Sequence, residues 1–416
     1  MANGQKTTFI ILIFLSFISC SNYGQKSENT LAKNNPSELI QNYFPLLIQL
    51  YGGPYIQDEG LQQYLNKVAN RIVRVSDKPG LDYEFIIVQS LVPHFWTLPQ
   101  GKCVIHKELF YLLDNEAELA AIIAHGLAHM HLGHDQQILE EHFIQNCISP
   151  PPIFSADFSV DLVCFTSKSR KEQYIPFYTR DQEKQAMKLA FEYLNRAGYN
   201  SSSIFDLQQK FIHLERKNYI WSHGFLHCHP FFLDNLYADK GEVLSKEGYL
   251  GEIPYTEAVE DLLKKRPASQ SLRASLQCFH NEQFSQALAQ IDQSLIKYPD
   301  ESHLLFIKGQ IHKKMGNLEK SVALLQQALE KHPHFFCYYT ELGHALVKLK
   351  QYQSAKAPLH TSLSFFPDVK AYYLLGKIYW NDRNYPLAKE FFQKASFSKS
   401  VYGKKAKKHL KIFYNS

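Results

Sequence analysis

The chain has 416 residues, which on a rough length prior is two or three domains, each able to bury its own core. Its 45 Lys+Arg against 40 Asp+Glu leave a net charge of +5, a mild basic excess that is partly local: residues 403–411 hold five lysines, a run that reads as a solvated helix end, so neither a nucleic-acid nor an acidic-lipid partner is expected. Aromatic residues at 14% argue against disorder and for dense helical packing.

At the N-terminus, Lys6 precedes an apolar run from Phe9 to Ile18 that is too short to span a bilayer. It reads as a signal peptide over residues 1–19. Its end, Phe17-Ile18-Ser19-Cys20, resembles a bacterial lipobox, with Phe17 where leucine is usual. Cys20 is therefore the expected lipidation site; an ordinary cleaved signal with an unmodified cysteine is the alternative. Ser21 in the next position favours the outer membrane, by similarity to Gram-negative lipoproteins. No second stretch approaches membrane-spanning length, so membrane contact is expected through the lipid anchor only, on the periplasmic side. Residues 20–38 have the polar composition of a tether. The other six cysteines show no CxxC spacing and read as small buried hydrophobes.

Residues 39–240 read as one domain. Apolar residues at helical spacing run from Leu39 to Val75. Tyr83 to Val92 has the composition of a buried strand, and a second strand follows from His94 to His106, interrupted at Pro99 and Gly101. Then comes an apolar helix from Glu118 to His134 that carries His125 and His129 one turn apart. A spacing of four sends both imidazoles out on one face, where they can share a zinc ion at ~2 Å. The residue after the first histidine is Gly126, so the pattern is HxxxH and lacks the glutamate of HExxH that takes a proton from metal-bound water. Residues 149–176 break pattern and read as an irregular flap or a plain surface loop. Arg180 to Gly198 is a helix closed by glycine, with Glu183 near its start as the best third-ligand candidate. His223, His227 and His229 form a histidine-rich loop; His229 and His227 are candidates for a fourth ligand or a substitute base.

After a connector over 241–267, the sequence repeats. Pro299, Pro333 and Pro367 are 34 residues apart, and Ala287, Ser321, Ala355 and Ala388 keep nearly the same beat, as do Ser275, Gly309, Gly343 and Gly376. Small residues at that period let paired helices approach, the signature of four tetratricopeptide repeats over 268–402. Phe306, Lys313, Lys314, His344, Lys348, Tyr373, Lys377 and Trp380 are expected to line their concave groove. Residues 403–416 read as a basic capping helix.

Taken together, residues 51–240 resemble the soluble, BepA-like branch of the HtpX and Ste-type zinc metallopeptidases, peptidase family M48. The resemblance rests on YGGPYIQDEGLQQYLNKVANRIV, FIIVQS with FWTLPQGKCVIH, NEAELAAIIAHGLAHMHLGH, RDQEKQAMKLAFEYLNRAGYN and the His229-Pro230 pair. It implies an α+β, mostly α fold: a gluzincin-type domain with a small β-sheet, followed by an all-α repeat solenoid. It also implies one zinc ion on His125, His129 and Glu183, a motif-closing histidine at His134, and a substrate-binding edge strand at Phe95, Trp96 and Thr97. Three positions depart from the family pattern: Gly126 replaces the general base, Met187 replaces the aspartate of ExxxD, and Asn235 replaces an arginine. Losing a general base typically costs ~10²- to 10⁴-fold in rate. The expected function is therefore a cell-envelope pseudopeptidase that binds unfolded or extended polypeptide clients, and other envelope proteins through the repeat groove, in protein quality control. An active zinc endopeptidase with a substitute base and a metal-free repeat scaffold are the alternatives.

Overall fold

The structure is a computed structural model and describes residues 36–137, 178–217, 229, 247–398 and 400–415. The expected signal peptide, Cys20, His223, His227, Asn235 and the segment 149–176 lie outside the described residues. Two compact units divide the chain; the described residues 43–137, 178–217, 229 and 247–311 belong to one, and 36–42 and those from 312 onward to the other.

The first unit is built around a short sheet and a fully buried helix. Helix α1 (Pro36–Leu50) enters it, and α2 (Glu59–Val73) is capped by Asp58, whose carboxylate accepts from the Leu61 amide at 2.8 Å. A cap of this kind is worth ~1 kcal/mol. One face of α2, with Leu61, Leu65, Val68, Ala69 and Ile72, is buried, as its helical spacing predicts. Strands β1 (Glu84–Val88), β2 (Phe95–Leu98) and β3 (Lys102–His106) form a sheet of order β1-β3-β2, with β1 parallel and β2 antiparallel to β3. The expected second strand is thus two strands folded back at Pro99–Gly101, pairing Phe95 with Ile105 and Trp96 with Val104. A short helix, α3 (Lys107–Phe110), follows directly.

All sixteen residues of helix α4 (Glu116–His131) are buried, its acidic and histidine side chains included, so it is the core of the unit and not its surface. Asn115 fixes its start by accepting from the Glu118 amide at 2.9 Å. Along it packs α5 (Arg180–Arg196), opened by a capping box between Thr179 and Gln182. Ala186 and Ala190 on α5 and Ala120, Ala121, Ala124 and Ala128 on α4 are all buried. Helix α6 (Ser203–Lys217) packs on α4 from another side. The unit continues through α7 (Glu252–Lys264), α8 (Arg266–His280), α9 (Phe284–Lys297) and most of α10 (Ser302–Lys314). Helix α8 is tied to the sheet end by Arg273, whose guanidinium donates to the buried Glu108 carboxylate at 2.9 Å and to the Leu91 carbonyl at 3.2 Å. The first repeat helices therefore lie in the same compact unit as the sheet.

The described residues of the second unit from 318 onward form helices α11 (Leu318–Lys331), α12 (Phe336–Lys348), α13 (Tyr352–Phe365), α14 (Val369–Asn381), α15 (Tyr385–Ser396) and α16 (Val401–Asn415). The repeat logic holds at atomic detail. A Cβ on Gly343 would stand 2.5 Å from Leu359, and one on Gly376 would stand 2.7 Å from Phe392, so only glycine lets these helix pairs close. The partner positions Ala287, Ser321, Ala355 and Ala388 are fully buried.

Several expected groove residues are elsewhere. Phe306 on α10 is fully buried, and Lys313 is buried against the Glu341 carboxylate, which also takes Lys370 Nζ at 2.6 Å. Tyr373 packs against Phe392 and Tyr402, and Trp380 meets Phe413 edge-on with ring centroids 4.9 Å apart. The cause is α16, which covers the face of α14 that the repeat pattern alone would leave open. Lys314, Lys348 and Lys377 are exposed, and His344 is half-buried.

Candidate metal centre

Helix α4 presents His125 and His129 on one face, α5 brings Glu183 from its first turn, and His229 joins them. All four are buried. His125 Nε2 lies 3.2 Å from His129 Nε2, 3.2 Å from His229 Nδ1 and 3.2 Å from Glu183 Oε2. Glu183 Oε1 is 2.8 Å from His229 Nδ1 and 3.6 Å from His129 Nε2, and all four ligand atoms lie within 4.8 Å of one another.

These separations bracket the ~3.3 Å edge of a tetrahedron with zinc–nitrogen bonds of ~2.0–2.1 Å. The chemistry of the donors fits as well. Burial holds the His129 and His229 imidazoles below their ordinary pKa despite Glu183, and neutral imidazoles facing each other cannot all donate. Their lone pairs converge on the Glu183 carboxylate, whose Oε2 lies 3.2 Å from His125 Nε2. Burial raises the cost of ionising Glu183, but His229 and His125 outweigh it and keep the carboxyl well below the usual range. Three imidazoles and one carboxylate suit zinc.

A layer of supporting residues surrounds the four. His134 Nδ1 is 3.1 Å from His129 Nδ1, and its Nε2 is 3.3 Å from Gln185 Oε1, so His134 orients His129 from behind. Tyr178 stacks on His129 with ring centroids 3.6 Å apart and donates its hydroxyl to Asp135. Thr97 Oγ1 also donates to Asp135, at 2.6 Å, and burial pushes this carboxyl up to about 7 against the pull of both hydrogen bonds. Sequence reasoning missed Tyr178, Asp135 and Gln185; the only signals were their positions beside the Thr179 cap, His134 and Glu183. Met187 is buried one turn after Glu183 and brings no polar atom, and Glu118 is engaged by Lys210 Nζ at 2.5 Å, away from the cluster.

The space a side chain would take at Gly126 is filled. A Cβ on Gly126 would overlap Cε1 of Phe95, standing 2.9 Å from its Cδ1 and 3.2 Å from Thr97 Cγ2. Phe95 is itself buried, pinned by the pairing of β2 with β3. The expected edge strand is in place, with its side chains turned into packing. Strand β2 is at the sheet edge, but Phe95, Trp96, Thr97 and Leu98 are all buried. Trp96 Nε1 donates to His106 Nε2 at 3.2 Å, and burial lowers His106 to about 3, so it stays neutral to accept. These side chains are spent on packing.

Residues 59–236 match peptidase family M48, and residues 279–334 and 369–396 match tetratricopeptide repeat families. The chain therefore joins an M48 peptidase domain to tetratricopeptide repeats, in a mostly helical fold with a small mixed sheet. It is similar to the beta-barrel assembly-enhancing protease of Yersinia pestis, 26% identical over 167 residues that cover 38% of this chain and 34% of that one. The protein of the same name from Escherichia coli (strain K12) is 24% identical over 175 residues, 39% of this chain and 35% of that one. The matches thus span about a third of the length of these relatives. A solved structure of MamA from Desulfovibrio magneticus RS-1 is 25% identical, covering 32% of this chain and 75% of that one with a TM-score of 0.30. Among the described residues, no helix is long and apolar enough to cross a membrane.

Proposed function

We propose that this protein is a zinc-binding pseudopeptidase of the bacterial cell envelope that holds extended or unfolded polypeptide clients, and that Cys20 anchors it by lipid on the periplasmic side of the outer membrane. The observation that carries the reading is the Phe95 ring against Gly126, which excludes the side chain that would activate water. His229 supports it, since structural zinc sites take four protein ligands whereas catalytic ones keep a position open. A zinc ion held there would be a Lewis acid with no neighbouring proton acceptor at 126, and its role would be to tie α4 to α5. The names of the relatives, which join beta-barrel assembly to proteolysis, favour quality control in the envelope. Tetratricopeptide repeats favour polypeptide clients.

The test is zinc stoichiometry and casein cleavage measured together on the unlipidated chain from Ser21 onward. One zinc per chain, no cleavage, and a fall in melting temperature on chelation are expected. Cleavage that disappears in His125→Ala would overturn the pseudopeptidase reading. A chain that takes up no zinc would instead be a metal-free scaffold.

A further inference from the structure

Helix α16 carries a surface that neither the metal centre nor the repeats use. Its inner face is fixed. Ala406 and Leu410 are buried, the His409 ring stacks on Phe392 with centroids 4.7 Å apart, and Phe413 meets Trp380. At Gly403 a Cβ would overlap the Ser398 carbonyl, so the helix lies as close to the preceding turn as backbone allows. With that face fixed, the opposite one is set.

On that opposite face Val401, Lys404, Lys405, Lys408, Lys411 and Ile412 are all exposed. At ~100° per residue they fall within an arc of about 120°. Val401, Lys405, Lys408 and Ile412 form a single stripe, at steps of four, three and four residues. Lys407 lies at the margin, and no aspartate or glutamate occurs from Phe397 to Ser416. Among the described residues none of these five lysines forms an ion pair, whereas Lys394 one helix earlier pairs with Glu390 at 2.7 Å. Val401 and Ile412 on this face are 50% exposed, and Phe397, in the turn just before the helix, is 75% exposed.

We propose that this face of α16 docks on a bilayer surface rich in anionic phospholipid. The charge alone would suit any polyanion. The exposed apolar residues decide for lipid: a soluble polyanion offers them no apolar phase, whereas a bilayer takes them into the head-group boundary while lysine stems reach back to the phosphates. The surface would add a second membrane contact to the lipid expected at Cys20, and it stands whether or not the metal centre is catalytic.

The experiment is co-sedimentation of the unlipidated chain from Ser21 onward with vesicles of phosphatidylcholine alone or with 30% phosphatidylglycerol. Binding to the mixed vesicles only, weakening as salt rises, is expected. Each lysine near an anionic surface contributes about fivefold, so Lys404→Gln/Lys405→Gln/Lys408→Gln/Lys411→Gln loses on the order of several-hundredfold in partitioning. These side chains are exposed, and an unchanged circular dichroism melt verifies that the variant is folded. Phe397→Ser/Ile412→Ser keeps every charge and is expected to weaken binding at least tenfold. No binding to the anionic vesicles, or binding that survives the lysine substitutions, overturns the proposal. Binding lost on removing the lysines but indifferent to Phe397→Ser/Ile412→Ser, and displaced by soluble polyglutamate, overturns it in favour of an acidic polypeptide partner.

Discussion

Replacing Gly126 by alanine separates two effects that ordinarily go together. In the interior of an exposed helix, glycine to alanine stabilises by ~1 kcal/mol because the backbone loses freedom in the unfolded chain. Here the added methyl enters the Phe95 ring, 2.9 Å from Cδ1 even before Cε1 is counted, in a core where α4 is buried along its whole length. Overpacking costs ~1–3 kcal/mol, so Gly126→Ala is expected to be net destabilising by up to ~2 kcal/mol. Phe95→Ala alone opens a cavity and costs ~3–5 kcal/mol. In that background the methyl meets no ring and fills part of the void, so Gly126→Ala then stabilises by ~1 kcal/mol. A double-mutant cycle from urea midpoints would thus show a coupling of ~1–3 kcal/mol, equal to the overpacking cost, with Gly126→Ala stabilising only where the ring is absent. If Gly126→Ala stabilises the natural chain as much as it stabilises Phe95→Ala, the ring does not occupy the base position and the steric argument fails.

Two buried ion pairs give pH-dependent predictions with opposite slopes. Burial raises the Glu108 carboxyl above 4.5 even with Arg273 beside it, so Arg273→Leu raises it further; the native state then holds a proton the unfolded chain has lost. The extra instability is absent below 4.5 and grows as pH rises, to ~3–5 kcal/mol once Glu108 ionises, which urea melts at pH 4 and pH 8 compare directly. In the repeats, burial already lowers Lys313 to about 8 although Glu341 opposes it. Glu341→Gln removes that opposition and lowers it further, so the variant is destabilised by ~3–5 kcal/mol near pH 7 and recovers as pH rises toward 10.5, where the unfolded lysine is also neutral. A loss of the same size at pH 7 and pH 10 would show that charge is not its cause.

The elements most legible in the sequence were those set by one period. The beat of Gly343, Gly376, Ala355 and Ala388 marked the buried small residues of the helix pairs, and the structure adds what the glycines meet, Leu359 and Phe392, each four residues after the alanine. His125 and His129 were legible because a helix forces residues four apart onto one face. Glu183 was found through a motif, and it does lie with them. What a single segment cannot show is what another segment places against it. Gly126 read as a missing carboxylate, yet its neighbour Phe95 is some thirty residues away in sequence and on a different element. Tyr373 and Trp380 had the spacing of groove residues, but α16 lies over them, and its apolar face of Ala406, Leu410 and Phe413 is masked in the sequence by the lysines between. Trp96 and Thr97 belong to an edge strand, as expected, but His106 and Asp135 engage them from outside the strand pattern.

On the proposed pseudopeptidase reading the block on catalysis is distributed, and reversing it is expected to require more than one residue. Gly126→Glu alone places a carboxylate on a backbone whose side-chain space is taken, so it is expected to destabilise α4 and leave casein uncut. Phe95→Ala/Gly126→Glu makes the room, but His229 still lies 3.2 Å from His125 Nε2 and 2.8 Å from Glu183, in the position a substrate or water would need. Only the triple change with His229→Ala supplies a base, a path for it and an open ligand position together. The expected series is no cleavage in the first variant, little in the second, and measurable zinc-dependent cleavage in the third. General-base help of ~10²- to 10⁴-fold sets the scale of the gain over His229→Ala alone. Activity appearing fully in Gly126→Glu would show that neither Phe95 nor His229 obstructs the centre, and the protein would be one substitution away from an enzyme.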